Sequence, residues 1–342
     1  MIHASCNRIL RLCAGLAAAW AVLQGGEFFA HAQAPPPGEQ PAAAGAPSNP
    51  PPRTDPLPVP ARLGGAPDTA FAAFQRGNYV TAMREAMKRI EADPGDGPAM
   101  TLIGELYSQG LGVRRDAAEA ARWYKLAAER SDRQALFALG IAKLKGDGVP
   151  PDRAGAAELF ERAAAQNHPG ALYSLGVLAI ENDGVTSDFP KAARLFRRAA
   201  ELGSSDAAYA LGLLYRNGTG VEKSDEQAAQ WIGRAATDDN VPAEVEYAIM
   251  LFNGIGVEKD ETAAAKLFLK AAARNNPVAQ NRAARLLAAG RGLPKDMVEA
   301  MKWHLLARAA GEKDAWLDGE LAKLSAQEKS AVEARLHQFV GN

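Results

Sequence analysis

AAYALGLLYRNGTGVEKSDEQAAQWIGRAAT, running from Ala207 to Thr237, decides the fold. It reads as a helix, a glycine loop and a second helix, and it recurs. From Gly212, steps of 36 residues reach Gly104, Gly140, Gly176, Ala248 and Ala284. The loop glycines keep the same step: Gly110/Gly112, Gly146/Gly148, Gly218/Gly220, Gly254/Gly256 and Gly290/Gly292, with Asn182/Gly184 the one substituted pair. So does a bulky apolar residue of the second helix: Trp123, Leu159, Leu195, Trp231, Leu267 and Trp303. Three markers hold one period through six copies, residues 99–314, without an insertion. A fixed period of this length predicts a solenoid, in which each unit buries its apolar face against its neighbours.

Each copy can be argued from its residues. The first helix is expected to start near a small residue (Ala99, Ala135, Ala171, Ala207, Ala243, Ala279) and to carry apolar residues four and eight positions on, such as Leu211 and Tyr215. Glycine inside that helix costs about 1 kcal/mol relative to alanine. Its recurrence at Gly104, Gly140, Gly176 and Gly212 points to a close helix crossing. The first loop glycine can adopt the left-handed conformation that ends a helix. Asp116, Asp152, Asp188, Ser224, Asp260 and Asp296 then stand where the second helix needs its N-cap. Ser224 with Gln227, and Asp296 with Glu299, have the spacing of a capping box. Alanine pairs such as Ala120/Ala121 and Ala127/Ala128 let the second helix nest against its neighbours.

The flanks differ from the repeats. Arg8 and Arg11, the apolar run Leu12–Leu23 and Ala30-His31-Ala32 have the layout of an export signal, residues 1–32, cut after Ala32. A run of 12 residues is short beside the roughly 20 that a membrane-spanning helix needs, so no span is expected after cleavage. The alternative is a chain anchored by an uncleaved signal. Residues 33–65 form a proline- and alanine-rich spacer, since residues 35–60 hold 11 of the 21 prolines. Residues 66–98 read as a divergent helical hairpin, with Phe71 and Phe74, a turn at Gly77-Asn78, and Tyr79, Met83, Ala86 and Ile90 at helical spacing. Residues 315–342 read as closing helices. Ala315, Trp316 and Leu317 begin one, and Ser325 with Glu328 caps another that carries Val332, Leu336 and Phe339.

Composition narrows the chemistry. A net charge of -1 lacks the basic excess of a nucleic-acid binder. Both cysteines, Cys6 and Cys13, fall in the export signal, which leaves neither disulfides nor thiolate ligands to the mature chain. His168, His304 and His337 have no ligand spacing and read as surface or packing residues. The recurring glycine loops follow a helix and not a strand, so they do not read as phosphate loops. Glu181-Asn182-Asp183-Gly184 lacks the alternating ligands of a calcium loop. Carboxylates are spread as on any solvated helix. No catalytic residue, metal or cofactor is expected.

The pattern A-x-x-x-L-G-x-x-Y-x-x-G-x-G-V, then D, paired alanines and W-Y-x-x-A-A resembles the Sel1-like repeat family, relatives of tetratricopeptide repeats. It is carried best by AMTLIGELYSQGLGVRRDAAEAARWYKLAAERSDRQ and by the copy quoted first. The departures are Asn182, Ala248, Ala284, and His304 and Arg308 in the last copy. The resemblance implies an all-α, right-handed α/α superhelical solenoid that binds other proteins. In an exported chain it implies an adaptor or regulator in the envelope, periplasmic and without catalysis, of the kind that controls exopolysaccharide synthesis.

Two positions of the first helices, four residues apart and so on one face, are apolar through the middle copies: Phe137/Ile141, Tyr173/Val177, Tyr209/Leu213 and Val245/Ile249. The flanking copies change to Thr101/Glu105 and Asn281/Arg285. In related arrays this face lines the inner groove, so the eight residues are the candidate site for a protein or peptide partner. The competing expectation is that winding buries them between consecutive first helices. Two other functions stand beside the scaffold: a β-lactamase-like hydrolase, disfavoured because the relatives concerned use disulfide-linked repeats, and a protein that binds cell-wall glycan.

Overall fold

The computed structural model of the protein describes residues 68–181 and 187–340. The expected export signal, the whole of the spacer and the Asn182/Gly184 loop lie outside the described residues. Among the described residues there are sixteen helices and no strand. None of these helices is long and apolar enough to cross a membrane. The chain divides into two compact units, one ending at Ser187 and the other beginning at Asp188.

In the first unit, α1 (Thr69–Gln75) and α2 (Tyr79–Ala92) form the divergent hairpin. Then come α3 (Gly97–Gln109) with α4 (Ala117–Glu129), α5 (Arg133–Lys145) with α6 (Arg153–Ala165), and α7 (Pro169–Glu181). The second unit starts with α8 (Phe189–Glu201), followed by α9 (Ser205–Asn217) with α10 (Asp225–Thr237) and α11 (Val241–Asn253) with α12 (Glu261–Ala273). The last repeat is α13 (Pro277–Ala289) with α14 (Met297–Ala309), and α15 (Ala315–Lys323) and α16 (Ala326–Val340) close the chain. All twelve helices from α3 to α14 are 13 residues long. Within each unit these helices pack as successive hairpins, the architecture of an α/α solenoid.

Two ladders of caps explain this regularity. Asp116, Asp152, Asp188, Ser224, Asp260 and Asp296 each accept the amide three residues on, as expected for the second helices. The sequence reading missed the other ladder. Asp96, Asp132, His168, Ser204, Asn240 and Asn276 cap the first helices, accepting from Ala99, Ala135, Ala171, Ala207, Ala243 and Ala279. The alanines taken as helix starts are therefore the capped third residues, and the helices begin two residues earlier. Between hairpins the chain passes through left-handed φ at Ser131, Asn167, Gly203, Asp239, Asn275 and Gly311, again 36 apart.

The capping boxes expected at Ser224 and Asp296 are only half built. Gln227 donates to Gln230, and Glu299 takes Lys302 and Arg335. The cause is visible in the loops. The Ser224 and Asp296 amides already donate to the Tyr215 and Leu287 carbonyls, at 3.0 and 3.1 Å. At Ser325 no such carbonyl is recorded, and the reciprocal pair forms: Ser325 N–H donates to Glu328 Oε2 at 2.8 Å, and Glu328 N–H to Ser325 Oγ at 3.3 Å.

The deepest side chain of each second helix is not the marker residue but the next one. Tyr124, Phe160, Phe196, Ile232, Phe268 and His304 are all buried, whereas Trp123, Leu195, Trp231 and Leu267 are only partly covered. The helix glycines face this row. A Cβ at Gly140 would lie 2.5 Å from Phe160 Cε1, and one at Gly212 2.5 Å from Ile232 Cγ1. The second loop glycine is tighter still, because it meets backbone. A Cβ at Gly148, Gly256 or Gly292 would come within 2.0, 1.9 or 2.2 Å of the carbonyl oxygen of Ala117, Asp225 or Glu261, the first residue of the preceding second helix.

Gly256→Ala should therefore cost far more than Gly203→Ala. Both residues have positive φ, but nothing lies within 4 Å of a Cβ at Gly203. The left-handed penalty alone is about 1–2 kcal/mol. Urea unfolding of the two variants should separate them by a further ~2 kcal/mol, in line with an overpacked interior. Equal midpoints would refute the backbone contact.

Candidate interaction surface

The eight residues of the candidate face occupy the fifth and ninth positions of their helices. Phe137 and Ile141 on α5, and Tyr173 and Val177 on α7, are half-buried in the first unit. In the second unit Tyr209 on α9 and Ile249 on α11 are half-buried, but Leu213 and Val245 are only 4% and 8% exposed. The face is thus neither an open surface nor a closed core. Leu213 and Val245 contribute packing, and the other six keep part of their surface accessible.

In three copies the fifth position points at the cap of the helix that follows its hairpin. Thr101 Oγ1 donates to Asp132 Oδ1 at 2.9 Å, and Asn281 Nδ2 to Asp314 Oδ2 at 2.9 Å. Phe137 stacks on His168 with ring centres 4.5 Å apart. The ninth position is polar only at the flanks, and there it is engaged. Tyr124 Oη donates to Glu105 Oε2 at 2.9 Å, and burial followed by that carboxylate pushes the Tyr124 phenol far up. Arg285 grips Asp314 with two bonds, of 2.5 and 2.9 Å, and its guanidinium lies 5.6 Å from the Trp316 ring centre. The polar flanks are held by bonds within the chain, and the middle positions carry apolar or aromatic side chains.

Beside this face lies chemistry that corrects the reading of evenly solvated carboxylates. Glu244 is fully buried, held by Lys270 Nζ at 2.7 Å and Arg274 at 3.1 Å. Glu246 is 7% exposed and paired with the buried Arg216, joining α11 to α9. Burial pushes the Glu246 carboxyl up, opposed by Arg216. The signal was present but had to be read down the repeat. Glu244 stands where the earlier copies have Met100, Leu136, Leu172 and Ala208, all buried. Buried ion pairs stabilise little in net but are costly to break by removing one partner. Among the described residues no group of acidic, histidine or cysteine side chains is placed to hold a metal ion.

His304 and His168 are packing residues, whereas His337 is exposed on α16. His304 is buried with Nε2 at 2.8 Å from Asp318 Oδ1, which also takes Arg308 at 3.1 Å, so two departures of the last copy converge on α15. His168 accepts the Ala171 amide at Nδ1, 3.1 Å, and its Nε2 lies 2.8 Å from Gln134 Oε1. An Nδ1 that accepts fixes the neutral tautomer with the proton on Nε2. Burial, and then Arg133, lower the pKa to about 4.

With this geometry in hand, similarity to known proteins can be stated. A family model described as Sel1 repeat matches residues 97–132, 133–168, 169–204, 205–240, 241–276 and 277–312, beginning where α3 begins. The crystal structure of a Sel1 repeat protein from Oxalobacter formigenes is 32% identical with a TM-score of 0.65, covering 70% of this chain and 98% of that one. A protective antigen of uropathogenic Escherichia coli strains with an SLR fold, c5321, is 24% identical with a TM-score of 0.47, covering 80% and 69%. Immunity protein Pa5087 from Pseudomonas aeruginosa is 18% identical with a TM-score of 0.40, covering 63% and 81%. No curated protein matches the chain.

The His168 cap makes a signed prediction. Its folded pKa lies below the ordinary 6.5, so protonation favours unfolding. The contribution is complete above pH 6.5 and should be lost as pH falls towards 4, by on the order of 3 kcal/mol. Nitrogen-15 spectra should show the Nε2–H tautomer at pH 6, and His168→Asn should remove this part of the acid sensitivity in urea titrations. A midpoint near 6.5 for His168 would contradict the buried cap.

Proposed function

The chain belongs to the Sel1 repeat family, and from that premise we propose that it is a non-catalytic scaffold of the bacterial cell envelope, holding a partner protein or peptide against its first-helix face. Proteins of this family are generally interaction scaffolds. The observation that carries the reading is the contrast along the face. Thr101, Glu105, Asn281 and Arg285 are polar and held by bonds within the chain, while Val177 and Ile249 are apolar side chains only partly covered, and Tyr173 and Tyr209 beside them keep part of their surface accessible. Covering such surface yields about 25 cal/mol per Å2, which favours an apolar or amphipathic peptide. The export layout of residues 1–32 supports a periplasmic location. A regulatory role, such as control of exopolysaccharide synthesis, fits an exported array of this family.

Burial of Leu213 and Val245 dictates the test. Truncating either would cost stability as a core residue, so the variant to use is Tyr209→Ala with Ile249→Ala. A photo-crosslinking residue at position 217, an exposed position one turn beyond Leu213 on α9, should capture one envelope protein in intact cells, identified by mass spectrometry. The double variant should reduce that capture by roughly tenfold, on the scale of two lost apolar contacts, with the helical circular dichroism unchanged. Undiminished capture, or capture of cytoplasmic proteins alone, would remove the reading.

A further inference from the structure

The second helices of the first unit carry a surface that the first-helix face does not share. A cleft of about 780 Å3 lies between α4 and α6. Ala118, Ala121, Gly155 and Leu159 line it, with Arg122 and Lys125 on the α4 side and Asp152 and Glu158 on the α6 side. At Gly155 the Asp152 carboxylate and the Lys143 ammonium take the space that a side chain would need. A Cβ there would lie 2.2 Å from Asp152 Oδ2 and 2.6 Å from Lys143 Nζ, and the same position elsewhere is Glu119, Lys191, Gln227, Ala263 or Glu299.

The chain itself shows what this face of the repeat accepts. Four periods, 4 × 36 = 144 residues, convert Asp152, Gly155, Glu158 and Leu159 into Asp296, Glu299, Lys302 and Trp303 on α14. Those four residues are the seat of α16. Arg335 donates to Asp296 at 2.9 Å and to Glu299 at 3.2 Å. One turn further on, Phe339 meets Trp303 edge-on with ring centres 5.1 Å apart, and Lys302 Nζ lies 5.1 Å from the Phe339 ring centre. Identical positions of the same unit thus carry an amphipathic helix on α14 and line a cleft on α6.

We propose that the α4/α6 cleft is a docking groove for an amphipathic helix of a partner protein, one that presents a cation and a large apolar side chain a turn apart. Charge placement selects this chemistry. Asp152 is already engaged by Lys143 Nζ at 2.8 Å, so the arriving cation meets Glu158, where α14 has Lys302. Gly155 stands where α14 has Glu299, so this wall carries one carboxylate fewer, and the apolar side chain meets Ala118, Ala121 and Leu159. Arg122 and Lys125 on the opposite wall suit acidic residues along the helix's other edge. This is recognition of a helix in a groove, and it uses none of the residues of the first-helix face.

The probe is a fluorescein-labelled peptide of residues 326–340, the sequence of α16, added to the full chain and followed by anisotropy and amide hydrogen exchange. Saturable binding should slow exchange in residues 117–129 and 153–165. Glu158→Lys, a change at an exposed rim position, should weaken binding by roughly tenfold, as should Phe339→Ala in the peptide. Tyr209→Ala with Ile249→Ala should leave peptide binding unchanged, which separates this groove from the first-helix face. The proposal is overturned by absence of saturable binding, or by protection confined to residues 297–309, where the peptide would replace the resident helix. Equal affinity of the Glu158→Lys chain or of a scrambled peptide overturns it as well.

Discussion

One backbone contact governs the repeat. The second loop glycine of a copy lies against the first residue of the preceding second helix, so close that a Cβ would fall within 2.4 Å of that residue's backbone in four cases. The pairs Gly148 with Ala117, Gly220 with Phe189, Gly256 with Asp225 and Gly292 with Glu261 are each 31 residues apart. A contact with no side chain between the partners has no slack to absorb an extra residue. Helices of one length, and a period without insertions, follow from it. The N-terminal hairpin shows what happens where the period does not hold. Gly112 meets Tyr79 after 33 residues, and a Cβ would stand 2.9 Å away.

Close approach then dictates the interior. Alanine rows such as Ala127, Ala163, Ala199, Ala235, Ala271 and Ala307 are fully buried, because nothing larger fits between helices brought this near. One larger side chain fills what remains, as Tyr124 does opposite Gly104, Phe160 opposite Gly140 and Ile232 opposite Gly212. In the last copy that side chain is His304, which reaches Asp318 in place of packing as a ring alone. The slip at the end is measurable in the caps. Asn276 to Asp314 spans 38 residues where 36 would continue the array, so α15 starts two residues late. Asp314 is the residue that Arg285 and Asn281 hold.

Period, hairpin and the caps of the second helices were legible in the sequence, because each is written in residue types with few uses: glycine at positive φ, and aspartate or serine before a helix. The caps of the first helices were harder to see. Aspartate, histidine, serine and asparagine share that position, and only the shared ability to accept an amide proton unites them. Burial was the least legible property. A four-residue spacing places Tyr209 and Leu213 on one face, but it does not tell which of them the neighbouring helix covers. Glu244 was misread for a related reason. Reading along a helix, a glutamate looks solvated; reading down the copies, it stands in an apolar column.

The same constraint locates specificity. Columns fixed by backbone contact or by close packing must repeat, and what repeats in every copy cannot distinguish one partner from another. Information can reside only in columns free to vary. Two such columns stand out. The fifth position of the first helix runs Thr101, Phe137, Tyr173, Tyr209, Val245, Asn281, and the third position of the second helix runs Glu119, Gly155, Lys191, Gln227, Ala263, Glu299. The first changes from polar to apolar and back, and the second changes charge and size almost at every step. The sequence of this solenoid therefore separates two tasks, with rows of glycine and alanine for the fold and variable columns on its two helical faces where the proposed recognition can reside.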